Sequence, residues 1–214
     1  MTLVTRWWLI RHAPVINPGG KIYGQRDVEA DTTTDPLPYQ GLAAGLPADA
    51  VWLCTHLRRT RQTAQAVFRA RGGIPPELII EEDLVEQSFG DWQGMDHDEV
   101  RATQPKEATL FWLAPATVRP PGGESFAEVV ARVSDAMLRR SAEHAGHDIV
   151  AVIHGGSIRA ALALALGLDP EMALGFKVDN CSLTRLDHIA LEGRPAAWRI
   201  AGVNLPGPAA TMAG

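Results

Sequence analysis

Leu3-Val4-Thr5-Arg6-Trp7-Trp8-Leu9-Ile10, followed at once by Arg11-His12, organises the reading of this chain. The run is rich in β-branched and aromatic side chains and has the length of a buried strand. Where it stops, a permanently charged guanidinium and an imidazole arrive side by side. In open α/β sheets, ligands sit just beyond the carboxyl ends of the strands. An Arg-His pair at that place reads as a nucleophilic or basic histidine beside an anion clamp. Taken alone, the pair fits equally well an exposed strand-end charge next to a satisfied polar neighbour.

Two further segments repeat the pattern. Asp49-Ala50-Val51-Trp52-Leu53-Cys54 reads as a strand that delivers Thr55, and a helix from Leu57 to Arg71 follows, stopped by Gly72-Gly73. Asp148-Ile149-Val150-Ala151-Val152-Ile153 reads as another strand and delivers His154-Gly155-Gly156-Ser157 at the start of a helix 157–166. Three strands thus carry Arg or His to one rim. At the third, the amides of 156–157 and the positive helix end are expected to face an anion.

Between these landmarks, residues 14–48 are rich in Pro, Gly, Asp and Thr and read as a long functional loop. Leu78-Ile79-Ile80 is a short strand. Helical pieces are expected around Asp98–Ala102 and Ala108–Leu113, and Ser125 with Glu128 makes a capping box for a helix through Leu138. Phe176–Val178, Ser182–Leu186 and Ala197–Val203 read as closing strands that add an antiparallel edge. The pattern predicts an α/β fold: a mostly parallel central sheet, helices on both faces, and a small cap-like insertion at about 86–124. One domain is expected over 1–204, with 205–214 as a flexible tail.

Composition narrows the function classes. A chain of 214 residues with 46% hydrophobic and 21% charged residues is large enough for one well-buried core. Its net charge of −5 argues against a broad nucleic-acid surface, while a local arginine cluster can still hold a small anion. The apolar stretch Ala160–Leu166 is far shorter than the ~20 residues that span a bilayer, so no membrane association is expected. No signal-peptide pattern precedes Arg6, and Cys54 and Cys181 stand far apart in no metal-like spacing. A cytoplasmic protein with two buried thiols is the expectation, with a homodimer left open.

Phosphoryl transfer through histidine needs an imidazole nucleophile, fixed cationic donors for the phosphoryl oxygens, and an acid for the leaving oxygen. His12 supplies the first, Arg11, Arg59 and His154 the second, and Glu86 the third; the inventory needs no metal and no cofactor. Residue types alone leave rivals open, with Arg58 and Arg61 beside Arg59, and Glu81, Glu82 and Asp83 close to Glu86.

Arg11-His12, the stretch Thr55-His56-Leu57-Arg58-Arg59-Thr60-Arg61-Gln62-Thr63-Ala64, Glu86 ahead of Phe89-Gly90-Asp91-Trp92-Gln93-Gly94, and Ile153-His154-Gly155-Gly156 together resemble the histidine phosphatase superfamily, the phosphoglycerate-mutase-like fold. The resemblance puts the phosphorylated histidine at His12, its neighbouring arginine at Arg11 and the second arginine at Arg59. It puts the proton donor at Glu86 and the second histidine at His154. Ala13-Pro14 departs from the family's usual Gly-Glu, and His56 replaces a usual proline. Alanine does not readily take a positive φ, so an ordinary turn is expected after His12. Mutase members use a downstream asparagine, and Asn17 is out of register, which leans towards a phosphatase.

Ile22-Tyr23-Gly24-Gln25-Arg26-Asp27 with Pro121-Gly122-Gly123-Glu124-Ser125 is similar to the α-ribazole phosphatase branch. Tyr23 and Gln25 of that stretch, and Gly155 of the fourth block, join Arg11 and Arg59 as expected substrate contacts. The implied activity is hydrolysis of a small phosphorylated metabolite through a phosphohistidine on His12, with α-ribazole 5′-phosphate one candidate. Phosphoglycerate mutation and non-catalytic phosphate binding are the alternatives.

Overall fold

The computed structural model describes residues 2–16, 19–73, 75–104 and 113–206. Its elements in chain order are β1 (Thr2–Arg11), α1 (Leu37–Gly45), β2 (Val51–Cys54), α2 (Arg58–Arg71), β3 (Leu78–Ile80), α3 (His97–Ala102), α4 (Phe126–Glu143), β4 (Asp148–Ile153), α5 (Gly155–Leu166), α6 (Pro170–Ala173), β5 (Leu183–Leu191) and β6 (Ala197–Leu205). The six strands form one sheet in the order β3-β2-β4-β1-β5-β6. The β1–β4, β2–β4 and β2–β3 pairs are parallel, and β5 and β6 add the antiparallel edge.

Side chains alternate across the sheet with the strand's period of two. Trp7 and Leu9 of β1, with Ile149, Ala151 and Ile153 of β4, pack with Phe126, Val133 and Met137 of α4 and Ile158 and Leu162 of α5. Ile10, Val150 and Val152 face the other way, against Tyr39 and Leu42 of α1 and Val67 and Phe68 of α2. Burial on both faces is why these strands are near-continuous apolar runs. The indole N–H of Trp7, deep in the first layer, donates to Ser141 Oγ of α4 at 2.9 Å.

Helix ends follow the sequence signals. Gly72 and Gly167 stop α2 and α5 in the left-handed conformation, and Ser125 and Glu128 form a reciprocal capping box at α4. Residues 14–48 are not all loop, however, because α1 lies within them. Pro36, Pro38, Gly41 and Gly45 mask a helix whose Tyr39 and Leu42 are buried. Helix α5 begins at Gly155, two residues before the expected start. Phe176–Val178 is not a strand. β5 runs on to Leu191, and β6 continues through Leu205, past the expected strand end at Val203. Asn17, the piece at 108–112 and residues 207–214 lie outside the described residues.

Ile22, Phe89, Val100 and Leu113, with Trp92 and Met95 against them, form a small apolar cluster of their own beside the sheet's rim. Gly90 is required there: at φ +49° an added Cβ would stand 2.0 Å from the Pro121 carbonyl.

Candidate active site

β1 and β4 leave the sheet together. Arg11 lies opposite Ile153, and the His12 N–H donates to the Ile153 carbonyl at 2.9 Å. His12 and His154 therefore emerge side by side, with ring centroids 5.3 Å apart. β2, paired to the other edge of β4, delivers Thr55, whose hydroxyl is 3.0 Å from His154 Nε2. Thr60 donates its own hydrogen to the Leu57 carbonyl at 2.8 Å. Thr55 Oγ1 is also 3.2 Å from Thr60 Oγ1, so Thr60, Thr55 and His154 Nε2 form one hydrogen-bonded chain that anchors the ring.

The first turn of α2 separates the three arginines. Arg59 is wholly buried and donates to the carbonyls of Arg26 at 2.8 Å and Gly24 at 2.6 Å, with its guanidinium 5.1 Å from the Tyr23 ring centroid. Arg58 turns outward to Asp27 and Glu29, and Arg61 is exposed. Arg11 donates through Nη1 to the Val178 carbonyl at 2.6 Å. The acids separate in the same way. Glu81 is buried in ion pairs with Arg139 and Arg140 on α4, whereas Glu86 sits at the sheet's rim and lines the cavity there.

Glu86 is placed by an unusual contact. Its carboxylate accepts from the N–H of Gln87 at 2.9 Å and from the N–H of Gly156 at 3.1 Å. The first-turn amide of α5 that was expected to face a bound anion thus holds a protein carboxylate instead. Gly156 permits this approach, since a Cβ there would lie 2.2 Å from Glu86 Oε1. Ser157 Oγ lies 2.8 Å from the Leu84 carbonyl and fixes the backbone just ahead.

A cavity of about 340 Å³ opens at this rim, lined by Arg11, Tyr23, Gly24, Glu86, Gly155 and Arg159, and by the exposed Lys21, His97 and Arg101. His12, Arg59 and His154 lie beneath this wall and not on it. Gln25 does not line the cavity either; its amide donates to the Glu86 carbonyl at 2.9 Å. His56 is exposed and away from the cavity. Arg159, which sequence reasoning passed over, is signalled by its spacing: it stands four residues after Gly155 on α5, hence on the same helix face.

The decisive electrostatic feature is a set of unpaired nitrogens. Arg11 Nε, His12 Nε2, Arg59 Nε and His154 Nδ1 are buried without a hydrogen-bond partner among the described residues. Buried polar groups are nearly always paired, so four such atoms from three chain segments are what the oxygens of a bound anion would satisfy. His12 has its other nitrogen, Nδ1, 2.7 Å from the Ala13 carbonyl, which fixes the proton there and leaves Nε2 with its lone pair. Burial, then the charges of Arg59 and Arg11, push the His12 pKa well below the ordinary imidazole value. Burial, then Arg59 and His12, do the same to His154. Both rings are neutral at pH 7. Burial also lowers the Arg59 pKa, against the opposing pull of Glu86.

These shifts set a stability window. Below about pH 6.5 the unfolded chain protonates both imidazoles while the folded chain resists, so acid favours unfolding. Stability should climb with pH up to about 7 and then level off, with each ring contributing a slope of at most ~1.4 kcal/mol per pH unit. Urea midpoints measured from pH 5 to 8 check this, and a profile independent of pH across that interval contradicts it.

The conserved sequence pattern of the histidine phosphatase superfamily (branch 1) matches residues 7–201. The chain belongs to the histidine phosphatase superfamily. It is 33% identical over 134 residues to a 2,3-bisphosphoglycerate-dependent phosphoglycerate mutase of Brucella anthropi, a match over 62% of this chain and 65% of the mutase. The chain thus spans slightly under two thirds of that relative. A mycobacterial glucosyl-3-phosphoglycerate phosphatase superposes with a TM-score of 0.78 at 26% identity, covering 94% of this chain and 99% of the other. A putative α-ribazole-5′-P phosphatase of Escherichia coli superposes with a TM-score of 0.72 at 25% identity, covering 95% and 98%. The superfamily member described here has no helix, among the described residues, long and apolar enough to cross a membrane.

Proposed function

We propose that this chain is a phosphomonoesterase that hydrolyses a small phosphate ester through a phosphohistidine on His12. The observation that carries the proposal is the neutral, buried His12 with an unpartnered Nε2 among three other unpartnered nitrogens. His12 Nε2 attacks phosphorus, and the ester oxygen leaves with a proton from Glu86. Arg11, Arg59 and His154 Nδ1 take the phosphoryl oxygens, whose charge spreads in the transition state. Water then attacks the phosphohistidine, with Glu86 accepting its proton, which frees His12 and inorganic phosphate. Tyr23 and Gly155, on the cavity wall, contact the ester.

A screen for phosphate release tests this, using α-ribazole 5′-phosphate, 3-phosphoglycerate and sugar phosphates, with the His12→Ala variant as control. Release from none of them would defeat the proposal. A mutase reading is favoured by the Brucella relative, and conversion of 3-phosphoglycerate to its isomer without free phosphate would establish it in place of hydrolysis. Likeness to the α-ribazole branch supports α-ribazole 5′-phosphate as the first substrate to try.

Gly156 offers a finer check. Gly156→Ala puts a methyl where Glu86 Oε1 now sits and so displaces the proton donor. The expected result is a fall of about tenfold or more in kcat/KM for alkyl phosphates, with much less change for p-nitrophenyl phosphate, whose leaving group needs no proton. Steady-state kinetics on the two esters read the difference, and equal losses would sink the assignment.

A further inference from the structure

The 12–13 peptide is gripped at both ends by side chains that do not line the cavity. Its carbonyl, on His12, accepts from Asn180 Nδ2 at 2.8 Å. Its N–H, on Ala13, donates to Thr63 Oγ1 at 2.8 Å. Thr63 uses its own hydrogen on the Arg59 carbonyl one helical turn back, at 2.7 Å, and is wholly buried. A hydroxyl offers one hydrogen, so the Thr63 oxygen can receive the Ala13 N–H only because its hydrogen is already placed. Asn180 belongs to a short segment that follows β1 closely. The Cys181 N–H donates to the Arg11 carbonyl at 3.0 Å, and the Arg11 N–H donates to the Ser182 carbonyl at 3.2 Å. Cys181 takes φ +57° in making this turn, an uncommon conformation for a residue with a side chain.

The next carbonyl along is that of Ala13, the one that holds His12 Nδ1. Pro14 confines Ala13 to extended conformations, because its ring excludes the helical region for the residue before it. With the 12–13 peptide clamped and Ala13 so confined, the Ala13 carbonyl has little choice of direction. The departure from the family's Gly-Glu therefore makes the mount of the nucleophile stiffer.

We propose that Thr63 and Asn180 are positioning residues of the nucleophile, clamping the 12–13 peptide so that the Ala13 carbonyl keeps the His12 proton on Nδ1. Thr63 also ties that peptide to α2, so one hydroxyl sets His12 and Arg59 relative to each other. The catalytic part of this inference rests on His12 as nucleophile; the tautomeric part does not.

The test uses Thr63→Val, which keeps shape and loses both hydrogen bonds, Thr63→Ser, which restores them, and Asn180→Ala. In the wild type, ¹⁵N NMR of the histidine rings should show His12 protonated at Nδ1 alone. In Thr63→Val and Asn180→Ala that signal should divide between the two tautomers, and kcat should fall about tenfold or more with KM within about threefold. Thr63→Ser should recover both readouts. A single Nδ1–H tautomer in both variants would overturn the proposal, even if activity fell, because a purely structural defect would leave the tautomer alone. Wild-type kcat in both variants would overturn it as well. Should His12→Ala keep its turnover, the phosphohistidine reading fails, while the tautomer measurement still decides the clamp on its own terms.

Discussion

His12→Ala is expected to lower phosphate release by roughly 10⁴-fold, the scale seen when a covalent nucleophile is removed. The neighbouring imidazole does not stand in its place: His154 is anchored through Nε2 to the Thr55 hydroxyl at 3.0 Å, with its ring centroid 5.3 Å from that of His12. Wild-type enzyme quenched in alkali during turnover should carry an alkali-stable, acid-labile phosphoryl group, and the variant should carry none. The depressed His12 pKa adds a further signature. A base that stays unprotonated in mild acid keeps the acidic limb of kcat/KM below the ordinary imidazole range, near 6.5. Turnover of His12→Ala within tenfold of wild type would remove the basis of the mechanism.

Glu86→Gln is expected to cut kcat/KM for alkyl phosphates by about 10²–10³-fold and that for p-nitrophenyl phosphate far less. The amide oxygen of glutamine can accept from Gly156 N–H as Glu86 does now at 3.1 Å, so the local fold is preserved and only the proton is lost. An alkoxide leaves poorly without that proton, whereas nitrophenolate is stable at neutral pH. The ratio of kcat/KM on the two esters is therefore the measurement. Should both fall alike, Glu86 does not protonate the leaving group, and a different acid must.

The sheet was legible because β1, β2 and β4 are buried on both faces and so appear as apolar runs, each ending in a polar group at the same rim. β5 was read too short because it carries charge inward. Asp187 is wholly buried and answered by Arg185 and by Arg199 of β6, a pairing across the sheet edge that no local pattern reveals. Helix α1 was hidden for the opposite reason, since its two glycines and flanking prolines imitate a loop. At the site, residue types alone left Arg58, Arg59 and Arg61 equivalent. Tertiary contacts separate them, because only Arg59 turns under the loop that carries Gly24 and Arg26. Gln25 shares with Tyr23 the stretch that resembles the α-ribazole branch, yet its amide reaches back to the Glu86 carbonyl. Thr63 and Asn180 went unnoticed because a hydrogen bond to a distant backbone atom leaves no trace in composition or period.

The strand order carries one more consequence. β4 is inserted between β2 and β1, so the chain that leaves the ribosome first must wait for a much later segment before its own edge is closed. Until that segment arrives, His12 has neither the Ile153 carbonyl nor His154 beside it. A polypeptide that stops short of β4 therefore has the first histidine in its chain but not the rim that pairs it with the second.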